Sequence, residues 1–176
     1  MITLAEAKQH LRITNTDHDT RLNALILSVT KWIENYTRRT ITEVEAFEEV
    51  FDGFPDVIVL SKVPVQEVNS IVYLDGNDAE QTLASSAYVV DGRELKTEIS
   101  PAYATVWPTT TAKPQSVTVT YKIGYAESPG APADLKQAAL ILLGHLDRNT
   151  GDDEKSIEMP SAVRALLGHY IVPRDY

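Results

Sequence analysis

The sequence predicts an α+β fold: a helical bundle formed by the N- and C-terminal helices, with an antiparallel β-rich middle segment inserted between them. Three observations carry this expectation. Apolar residues recur at helical spacing over about residues 18–37 and again over about 133–148. Between them lie short β-branched segments broken by turn signals, clearest where Val117, Val119 and Tyr121 alternate with Thr118, Thr120 and Lys122. The 176 residues, 43% of them hydrophobic, suit one domain able to bury about 70% of the surface its unfolded chain exposes. The expected organisation is a single domain with residues 1–40 helical, 41–125 a β-rich insertion, 132–170 helical and 171–176 an extended tail.

Thr3 and Glu6 have capping-box spacing and open a short helix over about Leu4 to Leu11. Asn15, Thr16 and Asp17 supply turn chemistry, with Asp17 the expected cap of a long helix from about His18 to Thr37. Its stripe is Leu22, Leu25, Ile26, Val29, Ile33 and Tyr36, with Trp32 beside it as a core residue. Arg38 and Arg39 follow, where cations suit the negative end of the helix dipole.

Ile41 to Phe51 is ambiguous. Ile41, Val44, Phe47 and Phe51 fit a helix, yet the β-branched and aromatic content favours a strand. Gly53-Phe54-Pro55 reads as a turn, Val57 to Leu60 as a strand and Val63-Pro64-Val65 as an extended connector. A strand over Val68 to Tyr73 ends at the hairpin signal Asp75-Gly76-Asn77. Gln81 to Leu83 and Tyr88 to Val90 are further short strands. Asp91-Gly92 reads as a turn, with Glu94 to Ile99 as the partner strand. Pro101 to Gln115 reads as a surface loop with a brief strand at Tyr103 to Trp107. Pro132 opens a helix from about Ala133 to Arg148, buried along Leu135, Ala138, Ala139, Leu142, Leu143 and Leu146. Asn149 to Pro160 is a polar, acidic loop, and Ser161 is the expected cap of a last helix, Ala162 to Tyr170. The two helical ends should pack on each other, because each stripe needs a partner to bury it.

Composition excludes several function classes. The formal net charge is −9, from 16 basic and 25 acidic residues, so the chain as a whole would be repelled by nucleic acid. Six acids and no base lie between Glu43 and Asp56. The absence of cysteine excludes thiol catalysis, cysteine zinc sites and disulfides. The longest strictly apolar run, Ala138 to Leu143, is too short to span a bilayer, and the first residues lack a signal-peptide pattern. A product that stays inside its cell, or in an assembly built there, is expected.

Catalytic patterns are not found. Neither a phosphate-cradling glycine loop nor a G-x-S-x-G elbow occurs, and His10, His18, His145 and His169 are isolated, with no zinc-helix spacing. Asp17-His18-Asp19 is the one group that resembles a metal or hydrolase site, and helix capping explains it more simply. Asp75-Gly76-Asn77-Asp78 lacks the length and closing Glu of a calcium loop, and Asp152-Asp153-Glu154 is a charge run in a loop. No cofactor and no metal is expected. Trp107 either anchors an interface or folds back onto the sheet. The tail from Tyr170 to Tyr176 either covers its own core or docks on a neighbour, and its aromatic end favours the neighbour.

The order of these features resembles a known family. An opening Leu-Ala-Glu-Ala-Lys-Gln-His-Leu-Arg-Ile precedes Asp17-His18-Asp19 and a helix ending Ile33-Glu34-Asn35-Tyr36-Thr37-Arg38-Arg39. Then come Pro64-Val65-Gln66-Glu67-Val68, Ile71-Val72-Tyr73-Leu74-Asp75, Tyr88-Val89-Val90-Asp91 and Val119-Thr120-Tyr121-Lys122-Ile123-Gly124-Tyr125. Pro132-Ala133-Asp134-Leu135-Lys136-Gln137-Ala138 opens the helix that ends near Asp147-Arg148-Asn149. Together these resemble the tailed-phage head–tail connector (adaptor) proteins, the gp6-like and phiE125 gp8-like family. The resemblance covers nearly the whole chain; the acidic stretch Asn149 to Pro160 departs from it.

The resemblance implies a structural virion protein without an active site, assembled in the host cytoplasm and placed in the neck at the head–tail interface. It implies a homo-oligomeric ring of about twelve copies. The portal protein and a tail or stopper protein are the implied partners; DNA passes through without specific binding, and no membrane is involved. Such a ring carries on the order of a hundred negative charges, which would keep passing DNA from sticking. Glu43, Glu45, Glu48, Glu49, Asp152, Asp153 and Glu154 are the expected channel-facing acids. Arg38, Arg39, Trp107, Arg164, Arg174 and Tyr176 are the expected interface anchors, because long cations and aromatics are favoured at contacts. The competing functions are a small monomeric module that captures a peptide on a sheet edge and a metal-dependent hydrolase built on Asp17, His18 and Asp19.

Overall fold

A computed structural model describes residues 1–93, 95–127, 130–149 and 158–173. The fold is α+β, and the chain divides into two compact units. One is built from Met1–Thr42 and Tyr125–Val172, the other from Glu43–Gly124.

The helical unit begins with α1 (Leu4–Leu11), and its capping box forms as the sequence dictates. Thr3 Oγ1 accepts from the Glu6 N–H at 3.2 Å, and Glu6 Oε2 accepts from the Thr3 N–H at 2.7 Å. Arg12 adopts the left-handed conformation, φ 58°, and ends the helix. The long helix α2 spans Asp19–Thr37. Asp17 does not cap it. The helix starts one residue later than expected, so His18 stands at the cap without a side-chain bond, and Asp17 accepts from Asn15 Nδ2 at 3.0 Å. Asp19, in the first turn, pairs with Lys8 at 2.7 Å. Helix α3 spans Ala133–Arg148, and α4 spans Ser161–Leu167 before tightening into a 3₁₀ turn at Gly168–Tyr170. Ser161 is not a cap either. It is already helical, with Pro160 before it, and a residue inside the helix cannot offer its hydroxyl to the first turn as a cap does.

These helices share one core. Ala7 of α1, Val29 and Ile33 of α2, Leu135 and Leu142 of α3, and Val163 and Leu167 of α4 are fully buried in it. Burial of each of these leucines is worth about 1.5–3 kcal/mol. Trp32, Leu25, Ile26 and Tyr36 lie half-buried against the same core.

The second unit holds two antiparallel sheets. One has the order β1 (Val44–Phe51), β7 (Val117–Ile123), β3 (Val65–Leu74), β4 (Glu80–Thr82). The other has β2 (Ile58–Leu60), β6 (Lys96–Pro101), β5 (Tyr88–Arg93). Both contribute to one core, which joins Ile58, Leu60 and Ile99 to Ile71, Val117, Val119, Tyr121 and Ile123. The burial of β7 alternates as its sequence does, with every second side chain buried. The ambiguous segment resolves as a strand because pairing with β7 outweighs the helical spacing. Phe47 lies opposite Tyr121, the two rings meeting edge-on at 5.5 Å, and the register shifts between Val44 and Phe47. Asp75 closes the β3–β4 hairpin by accepting from the Asn77 N–H at 2.8 Å and the Ala79 N–H at 3.1 Å.

Two local expectations fail here. Asp91-Gly92 is not a turn: β5 runs through it, with Asp91 opposite Glu98 and Gly92 opposite the buried Thr97. Cross-strand pairing extends the strand and moves the reversal beyond Arg93. Tyr103 to Trp107 forms no strand, since no neighbouring strand pairs with it. Tyr103 and Val106 instead stand 99% and 87% exposed.

Inside the β core, the fully buried Tyr121 hydroxyl donates to Glu49 Oε2 at 2.6 Å. Burial, then the neighbouring carboxylate, pushes its ionisation far above the ordinary tyrosine range. Tyr121→Phe should therefore lower stability by about 1.5–3 kcal/mol, the worth of a hydrogen bond to a charged acceptor. Urea denaturation checks this, and a change below about 0.5 kcal/mol would show that Glu49 finds equivalent partners without it.

Candidate assembly surfaces

The end of α2 is organised by its own side chains. Thr37 Oγ1 donates to the Ile33 carbonyl at 2.7 Å, and Arg38 then turns left-handed at φ 56°. That turn sends Arg39 inward. Arg39, expected at an interface, is only 2% exposed: Nε donates to the Tyr170 carbonyl at 2.9 Å, Nη1 to the Tyr125 hydroxyl at 2.9 Å, and the guanidinium lies 5.4 Å from the Tyr170 ring centre. The reversal at Arg38 carries the next side chain into the protein, and the guanidinium's several donors satisfy the groups met there.

Glu34 holds the returning chain. Its Oε1 accepts from the Ile41 N–H at 2.8 Å and the Thr42 N–H at 3.1 Å, and its Oε2 from Lys31 Nζ at 2.6 Å. Burial alone would raise the ionisation of this carboxyl. The Lys31 ammonium and the two backbone N–H groups outweigh it, and the net shift is downward.

Arg38 is exposed and donates through Nη1 to the Val172 carbonyl at 2.8 Å, while the Val172 N–H donates to the Thr37 carbonyl at 2.9 Å. The first residues of the tail thus pair with the end of α2 in their own chain, where an unpaired helix carbonyl needed a donor. Val172 is therefore held within its own chain, while the aromatic end of the tail, on which the expectation of a neighbour rested, lies outside the described residues. Arg174 and Tyr176 lie outside the described residues. Arg164 is exposed, with Nη2 3.3 Å from the Met159 carbonyl. Trp107 folds back: its ring stacks on Phe54 at 4.8 Å, and Nε1 points to the Asp56 carbonyl at 3.4 Å.

The expected channel acids separate by environment. Glu43 and Glu45 share Lys122 Nζ at 2.7 and 2.9 Å. The Lys122 bond chiefly, then one from Gln66, holds Glu43 below the usual carboxylate range. Glu49 is engaged within the β unit by Tyr121 and by the Ser61 N–H at 3.0 Å. Glu48 is exposed, with no bonding partner among the described residues. Asp152, Asp153 and Glu154 lie outside the described residues.

Asp17 and Asp19 are held by Asn15 and Lys8, and among the described residues no three His, Asp or Glu side chains gather as metal ligands. No helix of the described residues is long and apolar enough to cross a membrane. What the molecule offers is surface. Leu27 of α2 is 70% exposed, and Val44 and Val50 of β1 are 38% and 49% exposed. Sequence reading missed these, although Leu27 falls outside the α2 stripe and so carried a signal. Charge is uneven as well: residues 43–124 hold five basic and thirteen acidic side chains, and the rest of the chain eleven and twelve.

Comparison with known proteins places these surfaces in context. A family model described as "Head completion protein" matches residues 1–170. No curated protein matches the chain at a significant level. Among solved structures, the chain resembles one in the neck of an empty GTA particle computed with C6 symmetry: TM-score 0.79 and 20% identity, covering 99% of this chain and 91% of that one. It resembles a chain of the neck of a native GTA particle computed with C12 symmetry, with TM-score 0.75 and 21% identity over 98% and 90% of the two chains. A third match, in the virion of a native gene transfer agent (GTA) particle, has TM-score 0.74 and 20% identity over 99% and 91%. At these identities the likeness is one of fold.

Proposed function

Because this chain belongs to the head completion protein family, we infer that it is a structural head–tail connector located in the neck of a virion. The observation that carries the reading is the family match along nearly the whole chain. The physical character of the molecule supports it: exposed apolar and charged surfaces, an acidic β unit, and no gathered reactive groups among the described residues.

The finer reading is a ring of about twelve copies, acting as one connector domain per chain, seated between the portal and a tail or stopper protein. The similar fold found in necks of sixfold and twelvefold symmetry supports a ring. DNA passes through the centre, and the acidic charge of the β unit lowers its affinity for the wall. Of the expected anchors, Arg38, Trp107 and Arg164 keep surface for a partner, with Arg174 and Tyr176 beyond the described residues. Arg39 acts inside the helical unit. The chain is assigned no catalysis, since its family is structural.

Electron microscopy of the purified protein mixed with the portal of its own particle tests this. Added ring density beneath the portal is the expected result. A bare portal at high protein concentration, with the protein shown to be folded, would overturn the assignment.

A further inference from the structure

A ring closes only if every copy offers two different patches that fit each other. In the helical unit the solvent face of α2 presents Ala24, Leu27, Ser28, Lys31 and Asn35 at helical spacing, with the exposed Arg38 just past its end. Leu27 is the one large apolar side chain of that unit, among the described residues, that stands exposed. Small residues on either side allow a partner to approach closely. The helix's two carboxylates are drawn in toward the protein, Asp19 onto Lys8 and Glu34, 9% exposed, onto the Ile41 and Thr42 N–H groups and Lys31 Nζ at 2.6 Å. Arg38, exposed and with no carboxylate paired to it among the described residues, and the 72% exposed Lys31, whose partner Glu34 is itself only 9% exposed, give this face a positive character on a chain of net charge −9.

Strand β1 has the opposite character. It is an edge of its sheet, and no further strand among the described residues pairs with its outer side. Glu48 and Val50 share one side of the strand by alternation, both exposed, and Glu48 has no cation of its own among the described residues. The exposed apolar residues outside β1 and α2, Val57, Val89, Val90, Tyr103 and Val106, belong to the same acidic unit. Pairing them with β1 of another copy would bring like charges together; α2 supplies the complement.

Resting on the ring reading above, we propose that the α2 face centred on Leu27 receives strand β1 of the neighbouring copy, with Leu27 against Val50 and the Lys31–Arg38 side facing Glu48. The contact is head-to-tail, so each copy uses α2 towards one neighbour and β1 towards the other. Glu48 then belongs to the seam between copies and not to the channel wall.

The chain has no cysteine, so introduced pairs report without background. The test uses particles from cells in which Leu27→Cys/Val50→Cys replaces the native chain, purified and then oxidised. A non-reducing gel showing a ladder of linked copies, absent from each single variant, supports the contact. Only a dimer band, or no linked band, from particles holding normal amounts of the chain overturns it. A second arm uses charge: Glu48→Lys should lower incorporation at least tenfold, and adding Asn35→Glu should restore it to within threefold. Wild-type incorporation of Glu48→Lys, or no rescue by Asn35→Glu, overturns the contact, and this arm decides if the double-cysteine chain does not enter particles. Particles that lack even the wild-type chain would overturn the connector reading itself, a result distinct from the others.

Discussion

Glu34→Ala is expected to lower stability by about 2–4 kcal/mol, because it takes the carboxylate acceptor away from the buried Ile41 N–H and from the Thr42 N–H beside it. Ile41 is 1% exposed, and its N–H donates to Glu34 at 2.8 Å; the Thr42 N–H shares the same oxygen. Loss of the Lys31 ion pair adds little, since Lys31 is 72% exposed and surface pairs are worth about 0–1 kcal/mol. Two controls separate the causes. Lys31→Ala should cost less than about 1 kcal/mol. Glu34→Gln keeps an oxygen for the two N–H groups and should cost about 1 kcal/mol. Equal losses in Glu34→Ala and Glu34→Gln would show that charge matters more than the backbone bonds.

The same residue makes stability depend on pH. Its carboxyl is lowered below the ordinary 4.5, since Lys31 and the two N–H groups outweigh burial. The folded state therefore holds this proton less tightly than the unfolded chain does. The resulting stabilisation is complete above the ordinary value and disappears as pH falls through the lowered one. Glu6, Glu43, Asp75 and Asp78 are lowered as well, chiefly by the Thr3 N–H, Lys122, the Asn77 N–H and Lys113 respectively, and act in the same direction. Denaturation midpoints should fall as pH drops below about 4.5, less steeply in Glu34→Gln than in the wild type. Parallel profiles would remove Glu34 as a contributor.

The second large effect is expected at Arg39. Arg39→Ala should cost about 2–4 kcal/mol, since it removes the hydrogen bonds to the Tyr170 carbonyl and the Tyr125 hydroxyl and the stacking on Tyr170 from a site only 2% exposed. Arg39→Lys should recover little, because a single ammonium cannot serve the Tyr170 carbonyl and the Tyr125 hydroxyl in the geometry of a planar fork. Amide exchange should locate the damage. Protection should fall first at residues 168–172, which Arg39 and Arg38 tie to the end of α2. Uniform loss across the helical unit would mean that Arg39 supports the core generally and not this segment.

How much of this was legible in the chain depends on whether the cause was local. The Thr3–Glu6 capping box, the α3 stripe and the alternation in β7 were readable because their spacing matches helical or strand geometry and their partners are near in sequence. The Asp75 hairpin was readable for the same reason. The expected caps at Asp17 and Ser161 failed by a single residue, the scale on which helix ends are set by packing. The turn expected at Asp91-Gly92 failed because cross-strand pairing with Glu98 and Thr97 overrides a local turn preference.

Sequence alone determined the α+β class, the helical ends around a strand-rich middle, the acidity and the order of motifs that resembles a connector family. Each arises from hydrophobic period, composition or short-range chemistry, which a linear string contains. Only the tertiary structure decided where individual side chains stand. It turned Arg39 inward at the left-handed Arg38, set Glu34 on the backbone of Ile41 and Thr42, folded Trp107 onto Phe54 and left Leu27 and Glu48 in solvent. Whether a cation or an aromatic meets a partner depends on which groups, distant in sequence, fold back to satisfy it first, and that is fixed only when the chain has packed.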